Sequence, residues 1–133
     1  MAKVAIKQKT NKKTKIKQKH SIVKICLAAE FNNSIITLTD LQGKVLAWSS
    51  SGKVGFKGTK KSTPFAAQRA AEEILERVKQ VEASSAHLVI RGAGMGRDAF
   101  LRSMQGSDLQ IESIKDLTGF PFGGSKPKNR RRV

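Results

Sequence analysis

The sequence is poor in cysteine and in long uncharged runs, which sets aside secreted and membrane proteins. Its 133 residues include one cysteine, Cys26, so no internal disulfide can form and a reducing compartment is indicated. The longest stretches without a charge, 31–39 and 117–125, have nine residues, whereas a membrane helix needs about 20. No apolar segment follows the basic N-terminus at signal-peptide distance. We therefore expect a soluble, cytoplasmic protein that does not bind membranes.

Acidic residues are scarce as well, and their distribution divides the chain. The sequence has 26 Lys and Arg against 10 Asp and Glu, a formal charge of +16. Residues 1–20 carry eight lysines and residues 124–133 carry five cations, and neither segment contains an acid. Residues 21–123 hold the remaining charges, at a net of only +3. We expect one domain at 21–123 between a basic N-terminal arm and a basic C-terminal tail, each disordered in isolation because like charges repel. Nucleic acid is the first candidate partner.

The hydropathy pattern of the domain predicts an α/β fold. Thr63 or Ser62 suits a helix cap, Pro64 suits the first helical position, and apolar residues recur from Ala67 to Val81 at steps of four and three. A second, short helix is predicted at 97–105, and β-branched and apolar runs predict strands at 22–28, 34–39, 45–49, 86–90 and 109–114. The order β-β-β-α-β-α-β indicates a mixed sheet in the ribonuclease-H-like arrangement.

A glycine- and lysine-rich loop before the first helix is the strongest candidate for a nucleic-acid contact. Glycines let backbone N–H groups approach a phosphate, lysines supply charge, and the helix N-terminus adds its positive dipole. Phe56 either stacks on a base or packs into the core. A nucleotide P-loop is a poor match, because no Gly-Lys-Ser/Thr stands at the required spacing. The candidate residues of this loop are Lys53, Gly55, Phe56, Lys57, Gly58, Thr59, Lys60 and Lys61.

A second glycine-rich loop, 92–96, follows the fourth strand. Its spacing is G-x-G-x-G rather than the G-x-G-x-x-G of dinucleotide-binding folds, and the helix after it is short. Arg97, at the start of that helix, suits a phosphate of RNA.

Residues for catalysis are missing where a nuclease of this fold would need them. Such an enzyme holds metal ions with carboxylates on its central strands, but here the first strand was expected to turn Lys24 and Cys26 inward, and the fourth ends in Arg91. The two histidines stand alone, without metal-ligand spacing. We therefore predict no enzyme activity, no metal and no cofactor. Cys26 is expected to be a non-reactive residue of the core. For Trp48 a position in the core is favoured over a role as a stacking surface.

Five segments resemble the family of small-subunit ribosomal protein eleven, of bacterial type. They are residues 29–40, 48–52, 55–71, 92–97 and 126–133, and the run Gly-Phe-Lys-Gly-Thr-Lys-Lys-Ser-Thr-Pro-Phe-Ala-Ala-Gln at 55–68 is highly specific. The resemblance covers 21–133. The chain departs from the family at Ala93 and Met95, where prolines are usual, and at 119–125, where Gly-Phe-Pro-Phe-Gly-Gly-Ser replaces a stretch containing His-Asn.

The resemblance implies a structural, RNA-binding protein of the ribosomal platform. It implies that 16S ribosomal RNA helices are bridged near the exit-site mRNA path and the Shine–Dalgarno cleft, beside small-subunit proteins seven and eighteen, without a homo-oligomer. A histone-like protein that compacts nucleic acid is the alternative that the charge alone leaves open. Besides the loop residues and Arg97, the expected RNA-binding residues are Asn32, Asn33, Lys126, Lys128, Asn129, Arg130, Arg131 and Arg132.

Overall fold

The computed structural model describes residues 19–133, so most of the N-terminal arm predicted at 1–20 lies outside the described residues. The predicted element order is confirmed. A short 3-10 helix at Gly58–Ser62, inside the lysine-rich loop, was not expected. The other elements are β1 (Ile22–Ala29), β2 (Ser34–Thr39), β3 (Val45–Ser50), α1 (Pro64–Val81), β4 (Ser85–Arg91), α2 (Gly96–Gln105) and β5 (Gln110–Asp116).

The strands form one mixed sheet in the order β3-β2-β1-β4-β5. β2 runs antiparallel to both β1 and β3, whereas β1, β4 and β5 are parallel. Four of the five strands therefore end on the same side of the molecule, which we call the carboxyl end of the sheet. The turn after β1, the loop after β3, the loop after β4 and the chain after β5 all leave from this end.

The core lies between one face of the sheet and both helices. On β1, alternate residues from Val23 to Ala29 are buried, as strand geometry requires. The apolar stripe of α1, which includes Ile74 and Val78, is buried as predicted, and Phe100 and Met104 of α2 complete the cluster. α1 begins where the sequence predicted, with Thr63 Oγ1 accepting a hydrogen bond from the N–H of Ala66 at 3.4 Å.

The opposite face of the sheet carries no helix among residues 19–133, and three predictions fail there. Lys24 and Cys26 were expected to point inward, but they alternate with the buried residues of β1 and lie half-buried on the uncovered face. Burial raises the pKa of the Cys26 thiol, while Lys24 works in the opposite direction. Trp48 was expected in the core, yet 52 % of it is exposed. Both faces of these strands carry apolar residues, so sequence alternation did not identify the covered one.

Neither helix in the described part of the chain has the length and hydropathy that a membrane crossing requires.

Candidate nucleic-acid interface

The loop after β3 presents lysines that have no acidic partner. Lys57 and Lys60 are exposed and Lys61 is half-exposed, on or beside the 3-10 helix. Within residues 19–133, none of the three forms an ion pair. Gly55 and Gly58 adopt left-handed φ values of 107° and 58°, and the space where a Cβ would stand is open at both. The backbone is therefore accessible to a phosphate, and the lysine charges face solvent.

Phe56 is half-buried and lies outside the hydrophobic core, so stacking on a base stays a prediction. Its half-buried ring meets Phe65 edge to face, with ring centroids 5.8 Å apart. Phe65 is the more exposed ring, at 54 %, and the guanidinium of Arg69 lies 5.2 Å from its centroid. The aromatic surface beside the α1 N-terminus thus belongs mainly to Phe65. Sequence reasoning missed it because Phe65 occupies a helical position outside the lysine-rich run.

Lys53, the first lysine of this loop, is directed back into the protein. Its Nζ lies 2.9 Å from Glu73 Oε1 and donates to the carbonyl of Trp48 at 2.8 Å. Ser49 Oγ donates to the other oxygen of Glu73 at 2.6 Å. Burial alone would raise the pKa of Glu73, but the hydrogen bonds from Ser49 and Lys53 and the nearby cationic charge outweigh it, so the pKa is lowered. Lys53 fastens the loop to α1, and RNA would have to share its charge with Glu73.

The glycines of the second loop are packed against protein. A Cβ on Gly92 would overlap the carbonyl oxygen of Ala29, and one on Gly94 would overlap that of Glu30. The N–H of Gly94 donates to Ala29 O at 2.9 Å. These glycines let the loop lie against the end of β1, and a dinucleotide would find no space there.

Arg97 joins this loop to the start of the C-terminal tail. It donates to the carbonyl of Gly92 at 2.7 Å and pairs with Asp116. The Asp116 carboxylate accepts hydrogen bonds from the Thr118 hydroxyl, the Arg97 guanidinium and the Thr118 N–H. Together these donors lower the pKa of Asp116 to about 2. The guanidinium predicted to meet a phosphate is therefore already held by a carboxylate. Sequence reasoning missed Asp116 and Thr118, although an Asp two residues before a hydroxyl residue is a signal for a local side-chain turn.

The predicted residues of the tail and Asn32 are exposed, whereas Asn33 is half-exposed. Every residue from Leu117 to Val133 is exposed, and none belongs to a helix or strand. Within residues 19–133 the five tail cations form no ion pair. In the turn after β1, Asn32 is exposed and Asn33 half-exposed, with Asn33 O accepting from the N–H of Glu30 at 2.9 Å.

Two groups of unpaired cations thus leave the same end of the sheet at different places. One group, Lys57 to Lys61, follows β3 at one edge, and the other, Lys126 to Arg132, follows β5 at the opposite edge. Four strand spacings of about 4.8 Å separate those edges by roughly 19 Å. Lys19, the first described residue, lies beside the amino end of β1, where it pairs with Glu82 at 2.7 Å. Lys19 and the start of the chain after β5 therefore lie at opposite ends of the sheet.

Among residues 19–133, no group of three or more His, Cys, Asp or Glu side chains is placed so that it could hold a metal ion.

Comparison with known proteins points to one family. The family model described as ribosomal protein S11 matches residues 22–132. Small ribosomal subunit protein uS11c of Cyanidium caldarium is 46 % identical over 127 residues, which cover 94 % of this chain and 98 % of the relative. Small ribosomal subunit protein uS11 of Borreliella burgdorferi is 42 % identical over 130 residues, covering 98 % and 100 %. The uS11 protein of Thermotoga maritima is 43 % identical over 124 residues, covering 93 % and 94 %.

Proposed function

The chain belongs to the ribosomal protein S11 family of the small ribosomal subunit, and from that premise we propose that it binds and bridges helices of 16S ribosomal RNA on the platform. Its place would be near the exit-site mRNA path and the Shine–Dalgarno cleft, with small-subunit proteins seven and eighteen as neighbours, in the cytoplasm. We infer a structural role without catalysis.

The observation that carries the proposal is that the two groups of unpaired cations follow strands at opposite edges of the sheet. A protein that held one RNA helix would need one basic surface. Here the loop at 57–61 and the tail at 126–132 leave opposite edges of the sheet, and their charge is not neutralised within the described residues. Lysine and arginine side chains in such segments contact phosphates rather than read bases. Each cationic group therefore suits a different stretch of RNA backbone.

The tail has the reach that bridging requires. Residues 124–133 extend to roughly 33 Å at about 3.3 Å per residue, whereas a domain of about 100 residues has a radius of gyration near 13 Å. The clamp of Arg97, Asp116 and Thr118 fixes the chain six residues before the tail begins at residue 124. A domain docked on one helix could thus hold a second helix with the tail.

A comparison of binding affinities distinguishes this proposal from the alternative, a histone-like protein that compacts nucleic acid. We expect the full-length protein to bind a 16S platform fragment much more tightly than random duplex DNA of equal length at the same salt concentration. Equal affinity for the two would contradict the proposal and favour a compacting role.

Bridging by the tail is tested by deleting residues 126–133. Because each neutralised phosphate contributes roughly 0.7 to 0.9 to the slope of log K against log salt, loss of about three to five phosphate contacts with the five cations should lower the slope by about 2 to 4. A tail of shuffled sequence and equal charge should restore both the slope and incorporation into small subunits. If the shuffled tail fails like the deletion, the tail reads specific structure and bridging by charge is wrong.

A further inference from the structure

Two phenylalanines stand exposed between the domain and the basic part of the tail. Phe120 is 70 % exposed and Phe122 is 92 % exposed. Their ring centroids lie 4.9 Å apart with planes inclined at 55°, so the rings form a single aromatic surface. Neither ring belongs to the hydrophobic core. Exposing two large apolar rings side by side is unfavourable in water, which points to a partner that covers them.

The local sequence holds the two rings together. Pro121 fixes its own φ, and the residue before a proline favours extended backbone. In an extended segment, residues two apart point to the same side, which explains why the rings meet. Gly123 and Gly124 then adopt left-handed φ values of 93° and 51°, and Gly124 turns back beside Pro121. The pair is therefore arranged in advance, and little conformational entropy is lost when a ligand stacks on it.

The base of this segment is fixed to the domain. The N–H of Leu117 donates to Ile90 O at 2.8 Å, and Thr118 takes part in the clamp with Arg97 and Asp116. The aromatic pair begins two residues after that clamp. A ligand that stacks on the pair would therefore be held at a defined position relative to the sheet, unlike one that touches only the distal tail.

The charge around the pair selects the kind of partner. No acidic residue follows Asp116, and five cations stand within ten residues of Phe122. An apolar protein groove without acidic residues at its rim gains nothing from such a charge, whereas every RNA combines apolar base faces with phosphates. Stacking of a base on an aromatic side chain is tolerant of sequence, because every base has a π face.

We propose that Phe120 and Phe122 form a stacking site for an unpaired base of RNA, with Lys126 and Lys128 neutralising the adjoining phosphates. The inference rests on the proposed function, since it places RNA along the tail. It adds a contact that charge cannot provide: the rings distinguish an unpaired nucleotide from a paired one. Phe120 and Phe122 would then hold an unpaired base of an RNA loop or bulge. The cations that follow them would contact only the RNA backbone.

The test uses the full-length protein and two probes of identical charge, a 12-residue single strand of adenosines and the same ribose-phosphate strand without bases. We expect the wild-type protein to bind the strand with bases about fivefold or more tightly, the lower end of what one stacked base supplies. F120L/F122L should lose most of this preference, with an unchanged salt slope. Because both rings are exposed outside helices and strands, its thermal midpoint should equal that of the wild type.

A matched variant separates stacking from charge. K126Q/K128Q should weaken binding to both strands, lower the salt slope and keep the preference for bases. The inference is overturned if the wild type shows no preference, or if F120L/F122L retains it. It is also overturned if F120L/F122L keeps the preference but no longer enters small subunits, since the rings would then contact a protein. Failure of the wild type to bind a 16S fragment would instead refute the proposed function.

Discussion

The two glycine-rich loops of this protein look alike in sequence and differ in what their residues do. Both contain glycines, both contain or adjoin cations, both precede a helix, and both lie at the carboxyl end of the sheet. In the 92–96 loop Gly92 and Gly94 lie against the backbone at the end of β1, and Arg97, which follows the loop, is paired with Asp116. In the 53–61 loop the two glycines are open and only Lys53 is paired. The 92–96 loop is built for packing, and the 53–61 loop leaves charge for a partner.

The largest effect we expect is on the packed loop. In G94A the new Cβ would overlap the carbonyl oxygen of Glu30, a backbone atom that cannot move aside cheaply. We expect a loss of about 3 kcal/mol or more in the free energy of unfolding, measured by urea denaturation.

Two control substitutions calibrate that result. G58A places a Cβ in open space but at a left-handed φ of 58°, which should cost only about 1 kcal/mol. G119A, in open space at a φ that is not left-handed, should change nothing. A G94A protein as stable as G119A would mean that the 92–96 loop does not pack as described.

The next effect concerns the open loop. K57Q/K60Q/K61Q should lower the slope of log K against log salt for a 16S fragment by about 2 to 3 units, since up to three phosphate contacts are lost. The thermal midpoint should stay unchanged, because these side chains form no ion pair within residues 19–133. The matched control, K24Q/K44Q/K79Q, removes the same charge away from the loop. Equal slopes for the two variants would show that the loop is not a specific contact.

A smaller effect, on stability rather than on RNA binding, is expected when Arg97 is substituted. R97Q removes a partly exposed ion pair and the bond to Gly92 O, which should lower the free energy of unfolding by about 1 kcal/mol. Because the guanidinium is already held by Asp116, the salt slope should change by less than about one unit. If the salt slope fell as much as in the lysine variant while stability stayed unchanged, the main role of Arg97 would be to contact RNA.

The smallest effect is the pH response of the clamp. Thr118 and Arg97 lower the pKa of Asp116 from 3.8 to about 2. A carboxyl whose pKa is lowered in the folded state stabilises that state at pH values above the pKa of the unfolded chain. This contribution is lost as the pH falls through the folded-state pKa of about 2. An NMR titration of the Asp116 carboxyl carbon should show that midpoint, and T118V should move it upward, since the Thr118 hydroxyl is the largest cause. A midpoint near 3.8 in the wild type would mean that the clamp is not formed in solution.

Much of the fold was predictable because its signals are local. Thr63 and Pro64 mark the start of α1, the apolar stripe follows helical spacing, and Gly43 takes the left-handed φ of 93° that its hairpin needs. These features depend on neighbours in sequence, so periodicity and capping chemistry suffice to predict them.

The site was less predictable because its partners are distant in sequence. Asp116 lies 19 residues after Arg97, and the two meet only because β5 is placed beside β4. Glu73 similarly reaches Lys53 across the start of α1. Sequence composition identified every cation but not which of them a carboxylate already holds. The uncovered sheet face, with Cys26 and Trp48 on it, likewise depends on both helices packing on one side.

The central claim is that the open loop and the tail hold two different RNA helices. The direct measurement is photo-cross-linking in reconstituted small subunits, with a benzophenone amino acid replacing Lys60 in one variant and Lys128 in another, and position 79 as a distant control. We predict that positions 60 and 128 each cross-link to 16S RNA, at nucleotides in two separate helices, and that position 79 gives neither of those cross-links. Cross-links from both positions to a single helix, or to protein alone, would contradict the account.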